Sequence, residues 1–138
     1  MVNYWDASAL VAMLARGPLA AGYRAAAREF GVTTWWGSFV ECAAAIARQA
    51  REGSAPAQIG ESYRMLEELA REWQEVAPSE RLRRAAIRVL KGHGLRAGDA
   101  LQLGAALVVS GFEPHSVRFR TEDGQLKKAA EQEGFVIE

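Results

Sequence analysis

The sequence predicts an α/β fold: a single domain with a central parallel sheet of about four to five short strands flanked by helices. The 138 residues are 49% hydrophobic, which is enough for one core and too little for two ordinary domains. Short β-prone segments alternate with helical patterns, as in parallel sheets covered on both faces. No internal repeat, low-complexity segment or linker interrupts this alternation. We therefore expect residues 1–138 to form one domain.

The N-terminal segments predict a strand followed by two helices and a second strand. Val2 to Trp5 is short and apolar or aromatic, which favours a strand. Asp6 can then cap a helix that runs through Leu10 to Leu14. A second helix fits Leu19 to Phe30, and the β-prone Val32 to Thr34 follows it.

The middle of the chain predicts two more helices and a short strand. Ser38 to Gly53 has a broad apolar face that includes Glu41, and Ser38 precedes this acid by the spacing of a capping box. Ile59 to Trp73 has apolar residues at helical spacing on an otherwise acidic helix. Glu75 to Ala77 fits a short strand before the next helix, which begins near Pro78 and Ser79.

The C-terminal part repeats the alternation. A helix with an apolar stripe and a basic surface precedes a second helix, Arg96 to Val109. A strand at Val117 to Arg120, a helix at Glu122 to Gln132 and a final strand at Phe135 to Ile137 complete the prediction.

The helix from Arg96 to Val109 is apolar on nearly every face, since Gln102 is its only polar side chain beyond the start. Such a helix is expected to be buried, yet Asp99 lies in its first turn. Burying an isolated carboxylate costs far more than a fold can tolerate. Asp99 must therefore be solvated in a cleft, paired, or bound to a cation.

Composition narrows the function classes. Seventeen Lys and Arg balance seventeen Asp and Glu, so a nucleic-acid partner would have to meet a local basic patch. A single cysteine, Cys42, suits a reducing compartment and a structural role. The sequence contains neither the pattern of a signal peptide nor an apolar run of about 20 residues. We expect a cytoplasmic protein without a membrane partner.

Four acids follow predicted strands. Asp6 and Asp123 come after the first and fourth strands, whereas Glu41 and Asp99 lie in first turns of helices that start from strand-end loops. Ligands of open parallel sheets collect at the carboxyl ends of strands. Clustered carboxylates repel one another, and hard divalent cations such as Mg²⁺ or Mn²⁺ offset that repulsion. Such a metal activates water for attack on a phosphodiester, which is nuclease chemistry.

Each acid also has a structural interpretation. Asp6 and Asp123 stand where helix caps are expected, and a cap alone would explain either of them. Glu41 and Asp99 are harder to explain in apolar helices, although a buried ion pair with Arg48 or Arg96 would do so. The four acids together favour a site more than any one of them does.

The segments YWDASALV, SFVECAAAIAR, HGLRAGDALQLGAAL and RFRTEDGQLKKAAEQEGF resemble the successive acidic motifs of PIN-domain proteins. The resemblance is strongest to VapC-type toxin ribonucleases of bacterial and archaeal toxin-antitoxin modules, and it spans almost the whole chain. The first and third motifs are specific in combination, and the other two are looser. Glu122 departs from the last motif, where an apolar residue is common, so either Glu122 or Asp123 supplies the fourth acid.

The resemblance implies an endoribonuclease that depends on Mg²⁺ or Mn²⁺. The residues implied to be catalytic and metal-binding are Asp6, Glu41, Asp99 and Asp123. Ser8 and Thr121 are the hydroxyls beside them, and such groups orient ligands or water. The implied partners are an RNA substrate, the cognate antitoxin of a type II (VapBC-like) system, and a second copy of the chain in a homodimer.

A basic surface could hold RNA phosphates beside an acidic metal site. Its candidate residues are Arg81, Arg84, Arg88, Lys91 and Arg96.

Two other functions remain open from the sequence. One is a catalytically inactive PIN-like module that binds RNA or a protein. The other is a Mg²⁺-dependent phosphatase, which normally has a second Asp two positions after the first; Ser8 at that position argues against it.

Overall fold

Five short strands, all parallel, form the central sheet of the computed structural model, which describes residues 1–137. The strands are β1 (Val2–Trp5), β2 (Thr33–Trp35), β3 (Gln74–Val76), β4 (Val117–Arg120) and β5 (Val136–Ile137). Their spatial order is β3-β2-β1-β4-β5, so β1 lies at the centre. The predicted α/β class with a central parallel sheet is confirmed.

Between residues 1 and 137 the structure contains seven α-helices and one 3₁₀ turn, Pro114–Ser116. The helices are α1 (Ala7–Leu14), α2 (Pro18–Phe30), α3 (Ser38–Arg51), α4 (Pro56–Glu72), α5 (Glu80–His93), α6 (Ala97–Val109) and α7 (Gly124–Glu133). None of the helices in this range is long and apolar enough to cross a membrane.

The ends of the elements differ from the sequence prediction by one to three residues, the largest difference being the start of α4 at Pro56 rather than Ile59, and two of the differences have a clear cause. Helix α2 begins at Pro18, because proline is well suited to the first helical turn, where its missing N–H is not needed. Helix α7 begins at Gly124 rather than at Glu122, because Asp123 caps it: its side chain accepts a hydrogen bond from the N–H of Leu126.

The sheet separates two apolar clusters. Tyr4 and Trp5 are adjacent on β1 and fully buried, and they point to opposite faces, as successive strand residues do. Side chains from α1, α3 and α4 pack with Trp5, while those from α5, α6 and α7 pack with Tyr4. Burial on both faces of the central strand explains why β1 has two large aromatic residues in succession.

Helix α6 lies deep within the Tyr4 side of the fold. Six of its apolar residues and Gln102 are buried. It packs against α5 at Gly104, where an added Cβ would lie 2.9 Å from the backbone nitrogen of Ala86. This close approach fixes the position of α6, and therefore of Asp99 in its first turn.

Candidate acidic site at the carboxyl edge of the sheet

Asp6 lies directly after β1 and is only 3% exposed. One carboxylate oxygen, Oδ1, accepts hydrogen bonds from the N–H of Ala9 at 2.9 Å and from the Ser8 hydroxyl at 2.8 Å. The other, Oδ2, accepts a bond of 2.6 Å from the hydroxyl of Thr121. Asp6 is therefore both the N-cap of α1 and the acceptor of two side-chain hydroxyls.

Ser8 and Thr121 also fix the loop between β4 and α7. The Ser8 hydroxyl oxygen accepts a hydrogen bond of 2.9 Å from the N–H of Glu122. The Thr121 hydroxyl oxygen accepts one of 3.0 Å from the N–H of Asp123. The structure thus places both hydroxyls against Asp6, where the sequence resemblance implied them, and uses them to hold the following loop close to β1.

Burial dominates the electrostatics of Asp6 and raises its pKa to about 6. The hydrogen bonds from Thr121, Ala9 and Ser8 oppose that rise, whereas the negative charge of Asp99 adds to it. Without a cation, Asp6 is therefore held in a position where its charged form is disfavoured.

Asp99 connects the four acids electrostatically. Burial raises its pKa, the charge of Asp123 raises it further, and Arg96 lowers it. Asp99 in turn raises the pKa values of Asp6 and Glu41. The four predicted acids therefore lie at one edge of the sheet, where Asp6, Glu41 and Asp99 each have a pKa raised by another acid of the set and Asp123 contributes to the rise at Asp99.

Glu41 lies in the first turn of α3, where burial raises its pKa and the charges of Asp6 and Asp99 raise it further. The predicted capping box between Ser38 and Glu41 is wrong. Ser38 is itself helical and fully buried, and the N-cap position, which belongs to Gly37, has no side-chain hydrogen bond. The Glu41 carboxylate instead accepts a bond of 3.3 Å from the amide of Gln102.

The structure distinguishes the two acids of the last motif. Asp123 caps α7, and its negative charge raises the pKa of Asp99. Glu122 is exposed and accepts a hydrogen bond from the hydroxyl of Tyr23 on α2. Asp123 is therefore the acid of this motif that belongs with the others, and Glu122 ties α2 to the loop.

The caps expected of Asp6 and Asp123 are present, but they do not account for Glu41 and Asp99. Within residues 1–137 neither of those two acids forms an ion pair at 4.0 Å or less. Arg48 is exposed, and Arg96 affects Asp99 only through its charge at longer range. A buried ion pair therefore does not explain these two carboxylates.

The donor chemistry of the four acids suits a hard divalent cation, because carboxylate oxygens are the preferred ligands of Mg²⁺ and Mn²⁺. In the part of the chain that the structure describes, no three His, Cys, Asp or Glu side chains are close enough to hold a metal ion together. A divalent cation would offset the mutual repulsion of these carboxylates. The four residues fit such an ion by donor type and by charge.

Among the predicted RNA-contacting residues, Arg96 is the one beside the acids, since it precedes α6 and lowers the pKa of Asp99. Lys91 is exposed in the last turn of α5, which a short connection joins to Arg96.

The remaining basic residues of α5 lie farther along that helix. Arg81 lies over the ring of Phe112, beyond the C-terminal end of α6, and is therefore separated from Asp99 by most of a helix of about 20 Å. Two others are paired with acids: Arg84 with Glu80 at 3.7 Å and Arg88 with Glu133 at 2.8 Å. Arg81 therefore lies away from the acidic edge, and the charges of Arg84 and Arg88 are paired with acids outside the site.

Two residues at the site were not predicted as functional. Gln102 contacts Glu41, and Tyr4 contacts Gln102 from the neighbouring strand. A signal for Gln102 was present, because a single amide in an otherwise apolar helix lies three residues after Asp99 and hence on the same side. Tyr4 gave no comparable signal, since a buried aromatic residue in a strand is ordinary.

Comparison with known proteins identifies the fold. The chain resembles the crystal structure of PAE2754 from Pyrobaculum aerophilum, with a TM-score of 0.72 over 99% of this chain and 89% of that one. The two sequences are 22% identical, so the likeness bears on the fold alone. No protein-family model matches the chain, and no curated protein does so either.

We predict that Asp99→Asn preserves or raises the stability of the metal-free protein. Carboxyl groups whose pKa is raised by folding stabilise the protein below their unfolded pKa, and that stability is lost as the pH rises through the folded pKa, which is about 6 for Asp6. At pH 7 in EDTA, removing the charge of Asp99 should therefore raise the melting temperature by up to roughly 3 °C, a value that allows for solvent screening.

Calorimetric melts at pH 7 and near pH 4 test this, and the gain should shrink at the lower pH. Glu67→Gln, on the exposed surface of α4, is the matched control and should have no such effect. A clear loss of stability in Asp99→Asn at pH 7 would indicate a stabilising structural role for the charge instead.

Proposed function

We propose that this chain is a PIN-domain endoribonuclease that depends on Mg²⁺ or Mn²⁺, and that it is the toxin of a type II (VapBC-like) toxin-antitoxin module. The observation that carries the proposal is the mutual influence of Asp6, Glu41, Asp99 and Asp123 at the carboxyl edge of a parallel sheet. Open parallel sheets bind ligands at that edge. The motifs around these acids supply the family and the substrate class.

In this proposal Asp6 and Asp99 are the principal metal ligands, with Glu41 and Asp123 completing the set. When bound, the ion supplies charge neutralisation, an activated water and stabilisation of the leaving oxygen. Ser8 and Thr121 each donate to Asp6, so its carboxylate has a fixed orientation before any cation arrives. Asp123 is fixed in the same way by its cap on α7.

The negative charge of the site also limits how an RNA substrate can approach it. An RNA phosphate would be repelled by four carboxylates, so its approach requires positive charge at the same edge. Arg96 is the protein's own contribution there, because it is close enough to Asp99 to lower the pKa of that acid. A guanidinium group can engage two phosphate oxygens at once.

The proposal predicts RNA cleavage that needs a divalent ion and Asp99. The purified protein should cleave a single-stranded RNA pool in Mn²⁺ or Mg²⁺ and not in EDTA. Asp99→Asn should lose at least about 100-fold in rate, since it removes a ligand carboxylate without disrupting the fold. Glu67→Gln, prepared in parallel, should cleave like the wild type and would reveal any contaminating nuclease.

Cleavage that persists in EDTA, or that Asp99→Asn leaves unchanged, would contradict the proposal. RNA binding without cleavage in any divalent ion would identify the chain as a binding module. Release of phosphate from small phosphomonoesters would point to a phosphatase.

The proposed partner is a small antitoxin that neutralises the acids with a cationic side chain. An arginine suits this task, because its charge is permanent and its planar fork matches carboxylate geometry. The partner also needs an apolar anchor, for which the exposed Leu19 (63%) and Phe30 (48%) of α2 offer a surface, since the apolar stripes of α1 and α4 are packed into the core. A gene for a small DNA-binding protein beside this one would identify the candidate.

Replacing both Asp6 and Asp99 by Asn should weaken binding of that neighbouring protein as well as remove cleavage. Isothermal titration calorimetry measures the first effect directly. Unchanged affinity of the double variant would show that the partner inhibits without touching the acids.

A homodimer is the third partner in the proposal. Several large apolar side chains are exposed on the isolated chain and would be covered in a dimer, among them Trp36 (56% exposed), Val40 (67%) and Ile87 (47%). Sedimentation equilibrium measures the mass, and a monomer at micromolar concentration would contradict this part.

A further inference from the structure

Gln102 is the only polar side chain buried in the core of α6, where it is 1% exposed. Its carbonyl oxygen accepts a hydrogen bond of 2.6 Å from the hydroxyl of Tyr4 on β1. Its amide nitrogen donates to the Ser38 hydroxyl at 2.9 Å and to the Glu41 carboxylate at 3.3 Å. One buried amide therefore joins the central strand to the first turn of α3.

The orientation of this amide follows from which groups can donate. The Thr34 hydroxyl lies 2.6 Å from the Trp5 carbonyl oxygen and 2.7 Å from the Ser38 oxygen, and it is the donor in both contacts. The Ser38 oxygen therefore acts as an acceptor, and the NH₂ group of Gln102 also donates to it at 2.9 Å. Gln102 thus presents its NH₂ group to this side.

The other two neighbours lead to the same orientation. An ionised Glu41 can only accept, so it also requires the NH₂ group of Gln102. The Tyr4 hydroxyl donates its proton to the Gln102 carbonyl oxygen at 2.6 Å, which leaves the NH₂ group of Gln102 for Ser38 and Glu41. A flipped amide would place its oxygen against a carboxylate and leave buried groups unpaired.

We propose that Gln102 is a positioning residue: its amide, locked in one orientation by Tyr4 and Ser38, holds the Glu41 carboxylate at the edge where Asp6 and Asp99 lie. This inference rests on the proposed function, because it assigns Gln102 and Tyr4 a task in that same site.

Glu41 needs such a restraint because its side chain is flexible and the charges of Asp6 and Asp99 repel it. Without a donor on the protein side, the carboxylate would turn toward solvent before a cation arrived. A hydrogen bond to a charged acceptor is stronger than one between neutral groups, and Gln102 provides it without adding a charge. The site is thereby held partly organised in the absence of metal.

Two variants test the inference. Gln102→Leu removes the amide at similar volume, and Tyr4→Phe removes only the hydroxyl that locks it. In Gln102→Leu, side-chain NMR relaxation should show Glu41 changing from ordered to mobile. Mn²⁺ affinity by calorimetry should fall by about 10-fold, and kcat for RNA should fall with KM little changed. Tyr4→Phe should act in the same direction but less, and the double variant should be no worse than Gln102→Leu.

Ser110→Ala is the matched control, since it removes a 2.7 Å hydrogen bond to the Leu107 carbonyl at the opposite end of α6. It should lower stability without affecting Glu41 order or Mn²⁺ affinity.

Glu41 order is the deciding readout. If Glu41 is equally ordered in the wild type and Gln102→Leu, the inference is overturned, whatever happens to activity. If Glu41 loses order but the wild type neither binds Mn²⁺ nor cleaves RNA, Gln102 is a positioning residue and the proposed function fails.

Discussion

Repulsion among carboxylates that the fold holds at one edge of the sheet is the interaction on which the rest of the site depends. Asp6 is almost completely buried, so its side chain cannot relieve the repulsion by moving into water, and the nearby charge of Asp99 raises its pKa further. Hydrogen bonds from Ser8, Thr121 and the N–H of Ala9 reduce the cost of ionising Asp6 without removing it. Holding carboxylates in this arrangement lowers the stability of the metal-free protein, and the proposed cation would offset that cost.

The burial of α6 makes the arrangement rigid. This helix supplies Asp99 from its exposed first turn and Gln102 from its buried part, and its contact with α5 at Gly104 leaves no room for adjustment. The same helix packs with Tyr4 on the central strand, which carries Asp6 at its end. The packing of the core and the geometry of the site therefore depend on the same helix, since displacing α6 would move Asp99 relative to Asp6.

The fold and the positions of the acids were accessible from the sequence because both follow from local patterns. Apolar periodicity, caps and glycines define strands and helices, and parallel topology then brings the strand ends to one edge. Asp6 and Asp99 could be recognised this way because one follows a strand directly and the other interrupts an apolar helix. The resemblance to PIN-domain motifs added the chemistry that the patterns alone do not specify.

The parts that sequence reasoning missed depend on contacts between distant residues. Tyr4 and Gln102 are 98 positions apart, so their hydrogen bond has no local signature. Ser38 and Glu41 have the spacing of a capping box. In the structure, however, both side chains accept hydrogen bonds from the buried amide of Gln102 instead. Whether Glu122 or Asp123 joins the acids was decided by the cap of α7 and by Tyr23 on α2, neither of which spacing reveals.

Anomalous diffraction from crystals grown with Mn²⁺ would test most directly whether these acids form a cation site. If they do, an anomalous peak is expected in contact with the carboxylates of Asp6 and Asp99, with Glu41 and Asp123 directed toward it. A Mn²⁺ ion bound elsewhere on the chain, with the four acids left apart at saturating metal, would contradict that expectation.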